Sequence, residues 1–241
     1  MTTTVADRTA VRWEEPAGLN PRGTLAVFPG RGESADVYRR FAARISADAY
    51  RVTVLEASDE ADAVAQLRAL VADEWAVAPV VVVGSDTGAL RALSSAAVVP
   101  DGVAAAIVAG LPVGADLPER SWEAEIELRT GCPTHQGVLR SAARGIFSVG
   151  DAIEAADLVL AAPGVPVLAV HGSADEISPL DEVLERYSAL PQVTVAVIED
   201  GRHDILNDVT HRSVAATVVL FLERLRLGAT LPVIVRDASG R

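Results

Sequence analysis

Residues 80–93, VVVVGSDTGALRAL, run from an apolar strand pattern straight into a helical one, with Gly84-Ser85-Asp86-Thr87-Gly88 between them. A strand that turns this sharply into a helix strains the residue at the turn and needs small residues two places before and after it. Gly84 and Gly88 meet that need, so the spacing selects Asp86 as the side chain projecting into the cleft. There it faces the positive end of a helix dipole, which favours an anion. Ser85 would project only if the turn slipped by one residue.

Three further stretches hold groups that could work with it. In AVFPGRGE, residues 26–33, a strand ends in a glycine-rich turn. Such a turn can aim backbone N–H groups at a developing oxyanion, here those of Arg31 and, from the elbow, Thr87. In VLAVHGSADEISPL, residues 167–180, the G-x-x-D-x-x-x-P spacing favours Asp175 over Glu176 as an acid that orients a histidine. In VIEDGRHDILND, residues 197–208, His203 follows the last apolar run and precedes a helix. It is placed to act as general base, its second ring nitrogen held by Asp175. Of the other three histidines, His171 on a buried strand end reads as structural and His211 as exposed. His135, with Trp122, Gly30 and Ser85, is a candidate for the substrate pocket.

The elements that must carry these groups are legible in the hydropathy. Apolar runs at Thr24–Phe28, Arg51–Leu55, Pro79–Val83, Val103–Ala109, Val165–Val170 and Val193–Ile198 have the near-continuous character of strands buried on both faces of a parallel sheet. Val11–Glu15 suits an antiparallel edge strand. Helical patterns fall at Ser34–Ser46, Asp59 or Glu60 to Trp75, Gly88–Val98, Pro179–Leu190 and Asp208–Leu227. This alternation predicts an α/β fold with a doubly wound, mostly parallel sheet. Between Leu111 and Gly164 no strand pattern occurs, only helical ones at Pro118–Arg129, His135–Arg144 and Ser148–Ala161. That is too long for a crossover. The expected organisation is therefore a core of residues 1–110 and 165–241 with a small helical cap, 111–164, inserted in it. Leu231–Val235 reads as a strand or a packed terminus.

Composition narrows the function classes. The 241 residues carry a net charge of −12, which argues against a nucleic-acid or anionic-membrane partner. All 21 basic residues are arginine, which excludes a Schiff-base or phosphate-loop lysine. The single cysteine, Cys132, allows no intrachain disulfide and points to a reducing, cytoplasmic setting. No run is long and apolar enough for membrane insertion. No metal-ligand spacing and no dinucleotide fingerprint is present, so no cofactor is expected. The expected partner is a small-molecule substrate, and a homodimer is left open.

FPGRGE, GSDTGA, HGSADEISP and GRHDILND, in that order, resemble the α/β-hydrolase superfamily over about Thr24 to Leu227, and especially its lysophospholipase-like and monoglyceride-lipase-like branch. The resemblance implies an α/β-hydrolase fold and a triad in the order nucleophile, acid, histidine: Asp86, Asp175, His203. That branch has serine where this chain has Asp86. Aspartate at the elbow resembles haloalkane dehalogenases, fluoroacetate dehalogenases and epoxide hydrolases, in which the carboxylate attacks a saturated carbon and a histidine then activates water to hydrolyse the resulting ester. A departure is that Leu111–Gly164 contains no tyrosine to protonate a leaving alkoxide. Thr87 also stands where dehalogenases hold halide with a tryptophan, leaving Trp122 as the candidate donor. Arg31 and Arg91 are stand-ins for carboxylate-binding arginines.

The leading expectation is a hydrolase for a small or medium apolar molecule, with Asp86 as nucleophile and His203–Asp175 activating water. The alternative is an acid/base enzyme of lyase, isomerase or cyclase type that forms no covalent intermediate, with Asp86 as a second acid/base group or an electrostatic guide. A serine esterase using Ser85 and a binding protein with a degenerate site are the remaining readings.

Overall fold

The computed structural model describes residues 11–114, 121–142 and 160–236. Among the described residues, seven strands form one sheet: β1 (Arg12–Trp13), β2 (Gly23–Phe28), β3 (Tyr50–Val54), β4 (Val80–Ser85), β5 (Ala105–Ala109), β6 (Val167–Gly172) and β7 (Val193–Ile198), in the spatial order β1-β3-β2-β4-β5-β6-β7. Only β1 is antiparallel, pairing with β3; all other neighbours are parallel.

The sheet is doubly wound because its strands are apolar on both faces. Val81 and Val83 of β4 point into a core with Leu25, Val27 and Ile107, closed by Phe41 and Ile45 of α1 (Arg39–Ala47) and by Val218 and Phe221 of α7 (His211–Leu227). Val82 points the other way, into a core with Ala26, Phe28 and Val108. There α2 (Glu60–Val71), α3 (Thr87–Val98) and α6 (Leu180–Tyr187) supply Leu67, Leu93 and Val183. At β7 the side chains are only half buried or exposed, as befits an edge strand.

Every expected strand forms within two residues of its predicted limits, although β1 is only two residues long. Two expectations are corrected. The helix opening at Glu60 stops at Val71, short of Trp75, because the Asp73 carboxylate accepts a hydrogen bond from the Trp75 N–H (2.9 Å) and turns the chain. The final helix begins at His211; Asp208, expected to open it, instead accepts bonds from the Thr130 hydroxyl and the N–H groups of Gly131 and Arg202. Leu231–Val235, read as a strand or a packed terminus, is the latter: Leu231 packs on the core and Val233 and Val235 are exposed.

Among the described residues between β5 and β6 lie two helices, α4 (Trp122–Arg129) and α5 (Pro133–Ala142). The expected helix at Ser148–Ala161 falls largely outside the described residues. Among the described residues, no helix is long and apolar enough to cross a membrane.

Candidate active site

Parallel pairing sets the carboxyl ends of β2, β4, β6 and β7 along one edge, with Phe28 beside Gly84 and Gly172 beside Ile198. Arg31, Asp86, Asp175 and His203 follow those four ends. Clefts at the carboxyl edge of such sheets are where ligands bind in open α/β folds.

Asp86 occupies the turn, at φ 52° and ψ −128°, outside the regions that non-glycine residues ordinarily adopt. Ser85 is the last residue of β4, so the turn has not slipped onto the serine. Both glycines are sterically required. A Cβ on Gly84 would lie 2.0 Å from the carbonyl oxygen of Gly88, and one on Gly88 would lie 2.1 Å from that of Phe28.

The Asp86 carboxylate is fully buried and its two oxygens have different surroundings. Oδ2 accepts from the Arg31 backbone N–H (3.1 Å), from Arg31 Nε (2.7 Å) and from Arg129 Nη2 (3.1 Å). Oδ1 has no hydrogen-bond partner among the described residues and lies 3.7 Å from His203 Nε2, which also lacks one. Burial acts to raise the Asp86 pKa, but Arg31, His203 and Arg129 together hold it well below the usual carboxylate range.

On its far side, His203 Nδ1 lies 2.8 Å from Asp175 Oδ2. Asp175 Oδ1 accepts from the N–H groups of Ile177 and Ser178, both at 2.9 Å, which fixes the carboxylate's orientation. Glu176, its competitor, is exposed. His203 is thus a fully buried ring between two carboxylates. Burial disfavours its charge, but Asp175 and Asp86 outweigh that and push its pKa up to about 10. Both carboxylates therefore favour the protonated form of the ring.

His171 lies behind Asp175, its Nε2 2.8 Å from the Ser178 carbonyl and 3.3 Å from Asp175 Oδ2, and burial lowers its pKa. Thr87 is the first residue of α3, so its N–H has no acceptor within that helix. The Gly30 N–H donates to Glu33 Oε2 (2.9 Å). Trp122 packs against the core, with the Arg129 guanidinium 5.8 Å from its ring. Arg91 donates to the Ala57 carbonyl (3.2 Å). His135 is buried, its Nε2 3.1 Å from Asp204 Oδ2; it also lines a cavity of about 470 Å³ between α1 and α5, together with Val37, Arg40, Thr134, Val138 and Asn207.

The largest departure from the sequence reading is Arg129, at the end of α4. Fully buried, it approaches four carboxylates: Asp86, Asp204 Oδ1 (3.2 Å), Glu125 Oε1 (3.2 Å) and Glu33 Oε1 (3.5 Å). Its own carbonyl accepts from the Asp204 N–H (2.8 Å), so α4 is also tied by backbone to the His203 loop. Burial penalises the cation, but the surrounding carboxylates raise its pKa well above the ordinary arginine value. For Glu33, burial and then Asp204 push the pKa up to about 7, against Arg129 and the Tyr38 hydroxyl bonded to it. No motif spacing signalled Arg129, because Glu125 and Arg129 at i,i+4 on a helix read as a solvated pair. Asp204 was detectable only as the neighbour of His203. Among the described residues, no group of three or more His, Cys, Asp or Glu side chains is arranged to hold a metal ion.

Comparison with solved structures identifies the architecture. The chain is similar to the monoacylglycerol lipase of Paleococcus ferrophilus, at 14% identity over 90% of this chain and 98% of that one, with a TM-score of 0.64. It is also similar to an esterase from Rhodococcus sp. ECU1013 (17% identity, 90% and 95% covered, TM-score 0.68). A third similar structure is a soluble variant of the monoglyceride lipase of Saccharomyces cerevisiae (12% identity, 90% and 91% covered, TM-score 0.68). The chain has the α/β-hydrolase fold. No protein-family model and no curated protein matches it.

Proposed function

We propose that this chain is a hydrolase in which Asp86 attacks a saturated carbon of a small or medium apolar molecule and His203, oriented by Asp175, drives hydrolysis of the resulting ester. One observation carries the reading: the asymmetry of the Asp86 carboxylate. Three N–H donors hold Oδ2, while Oδ1 is left without a partner and faces His203 Nε2. A carboxylate so held presents one oxygen for attack. The other becomes the ester carbonyl oxygen, already seated among donors that stabilise the oxyanion formed when water adds. The Arg31 amide belongs to that set, and its side chain and Arg129 extend it with positive charge. The Thr87 N–H is the backbone donor on the helix side, and residues 111–164 act as the cap.

Cleavage of a carboxylic ester through a serine, the chemistry the lipase-like motifs suggest, is not carried over. The turn residue is Asp86, and a carboxylate attacking such an ester yields only an anhydride. A second reading is favoured by the ion pairs from Arg31 and Arg129, which could fix Asp86 as an electrostatic guide for proton transfer by His203.

Incubating His203→Gln with haloalkanes, epoxides and activated esters, followed by peptide mass spectrometry, decides between them. Added mass on Asp86 is the expected result. Added mass on Ser85, or none from any electrophile, overturns the covalent reading.

A further inference from the structure

We infer that the cavity between α1 and α5 is a second ligand site, which takes a small monocarboxylate with an apolar body. Asp86, Asp175 and His203 do not line it. The inference therefore stands apart from the covalent reading above, and either can fail without the other.

Two helices wall the cavity. One wall is the face of α5 that carries His135 and Val138. The other is Arg39, Arg40 and Ala43 of α1, with Asp36 and Val37 just before that helix. The space between them, about 470 Å³, is in the range that holds a small molecule.

Charge selects the ligand. Arg40 is half buried. Its Nη1 donates to Cys132 Sγ (3.3 Å) and its Nη2 to the Asn207 carbonyl. Neither acceptor is a carboxylate, and three of the five N–H groups of the guanidinium are left over. Arg22, Arg31, Arg51 and Arg129 each pair with an acid; among the described residues, Arg40 pairs with none. Arg91 and Arg224 also meet only carbonyls, but neither lines this cavity.

The neighbouring acids are already engaged. Asp36 pairs with Arg39 at 2.6 Å, and Asp204 is held by Arg129 and His135. The other charges on this side are basic. Arg40, Arg44, Arg212 and His135 all bear on His211, whose pKa falls through burial and then through those charges. A positive face is thus left open in a chain of net charge −12.

A half-buried cation that borders a cavity and has no acid of its own is best met by an anion in that cavity. The guanidinium fork matches a carboxylate through two parallel N–H bonds. One arginine balances one charge, which suits a monocarboxylate rather than a phosphate dianion. Val37, Ala43 and Val138 offer the rest of the ligand an aliphatic surface. A molecule held there touches His135, whose Nε2 lies 3.1 Å from Asp204 Oδ2. The site is therefore one side chain away from the charge network around Arg129.

The test titrates hexanoate, hexanamide and hexyl phosphate into the full chain, read by NMR at the Arg40 Nε–H and the Val138 methyl groups. Hexanoate is expected to shift both along a saturating curve. It should bind at least ~10-fold tighter than hexanamide, which has its shape without its charge. Arg40→Gln, followed at the Val138 methyls, should weaken hexanoate at least ~10-fold. Arg39→Gln should change it less than ~3-fold, because Asp36 already balances that exposed charge. Ala43→Glu keeps the test decisive if Arg40→Gln fails to fold. Ala43 is exposed and three residues along α1 from Arg40, so the new carboxylate supplies the missing acid from within the chain. Hexanoate binding should then be lost, while Ala43→Gln retains it. Absence of a saturating shift with hexanoate overturns the inference. Equal binding of hexanoate and hexanamide overturns it too, as does unchanged binding in Ala43→Glu. Hexyl phosphate binding at least ~10-fold tighter than hexanoate overturns the carboxylate assignment.

Discussion

Arg129 Nη2 and Asp86 Oδ2 lie 3.1 Å apart, and neither side chain has any exposure. The pair joins the last turn of α4 to the strained elbow after β4. Breaking a buried pair from one side leaves an uncompensated charge, at a cost of about 3–5 kcal/mol. Arg129→Met is therefore expected to lose at least about 3 kcal/mol in urea unfolding, because it removes the one cation that Asp86, Asp204, Glu125 and Glu33 share in a buried site. Arg129→Lys keeps the charge but not the planar fork, and should recover only part of the loss. A loss below about 1 kcal/mol for Arg129→Met would show that the cluster rearranges or takes up water.

Removing the anion next to His203 should lower its pKa. In Asp86→Asn the ring keeps Asp175, its larger charge partner, so the pKa should fall from about 10 but stay above the ordinary histidine value of 6.5. Asp175→Asn should lower it further. Nitrogen-15 shifts of the labelled ring across a pH series measure both, and the reverse order would mean that Asp86 dominates.

Stability should depend on pH with a definite sign. The folded pKa of His203 is raised, so its contribution is complete below 6.5 and is lost as pH rises towards about 10. Glu33 is raised to about 7, so its contribution is complete below 4.5 and is lost on the way to 7. Asp86, Asp175 and Asp204 are depressed; theirs is present above 3.8 and lost as pH falls through their folded values. The maximum is expected between about pH 4 and 6, with pH 5 exceeding pH 9 by a few kcal/mol. Denaturant melts at the two pH values check this, and equal midpoints would contradict a raised pKa at His203.

Gly84→Ala would place a Cβ 2.0 Å from the Gly88 carbonyl oxygen. Strand β4 and helix α3 would have to separate, so a loss of roughly 2–4 kcal/mol is expected from strain and core disruption. Gly137→Ala, where a Cβ meets nothing within 4 Å, serves as the control and should be near neutral. Comparable losses at the two positions would count against the tight elbow.

Much of this was legible because parallel strands buried on both faces are written as continuous apolar runs, and because an elbow needs its glycines. Asp86, Asp175 and His203 each follow such a run, so topology alone brought their loops to one edge. The charge network around Arg129 was not legible. Glu125 and Arg129 are one helical turn apart and look like a surface pair, and only the fold reveals that this turn is buried against the elbow. Glu33 and Asp204 sit within quoted motifs, but an acidic residue beside a loop is ordinarily solvated, and nothing local marks these two as buried. The length of α2 was misjudged for a related reason, since its end is set by the Asp73 side chain rather than by loss of helical pattern.

The four carboxylates around Arg129 come from α4 itself, the elbow, the β2 turn and the His203 loop, so the residue works as a keystone. Many enzymes can exchange the segment over their active site as a module, keeping the core and trading specificity. Here a transplanted segment that lacked an arginine at this point would open the arch beneath it. Residues 121–142 and the carboxyl edge of the sheet are therefore tied to change together, and a graft of this segment between this chain and another of its fold must bring the cation with it.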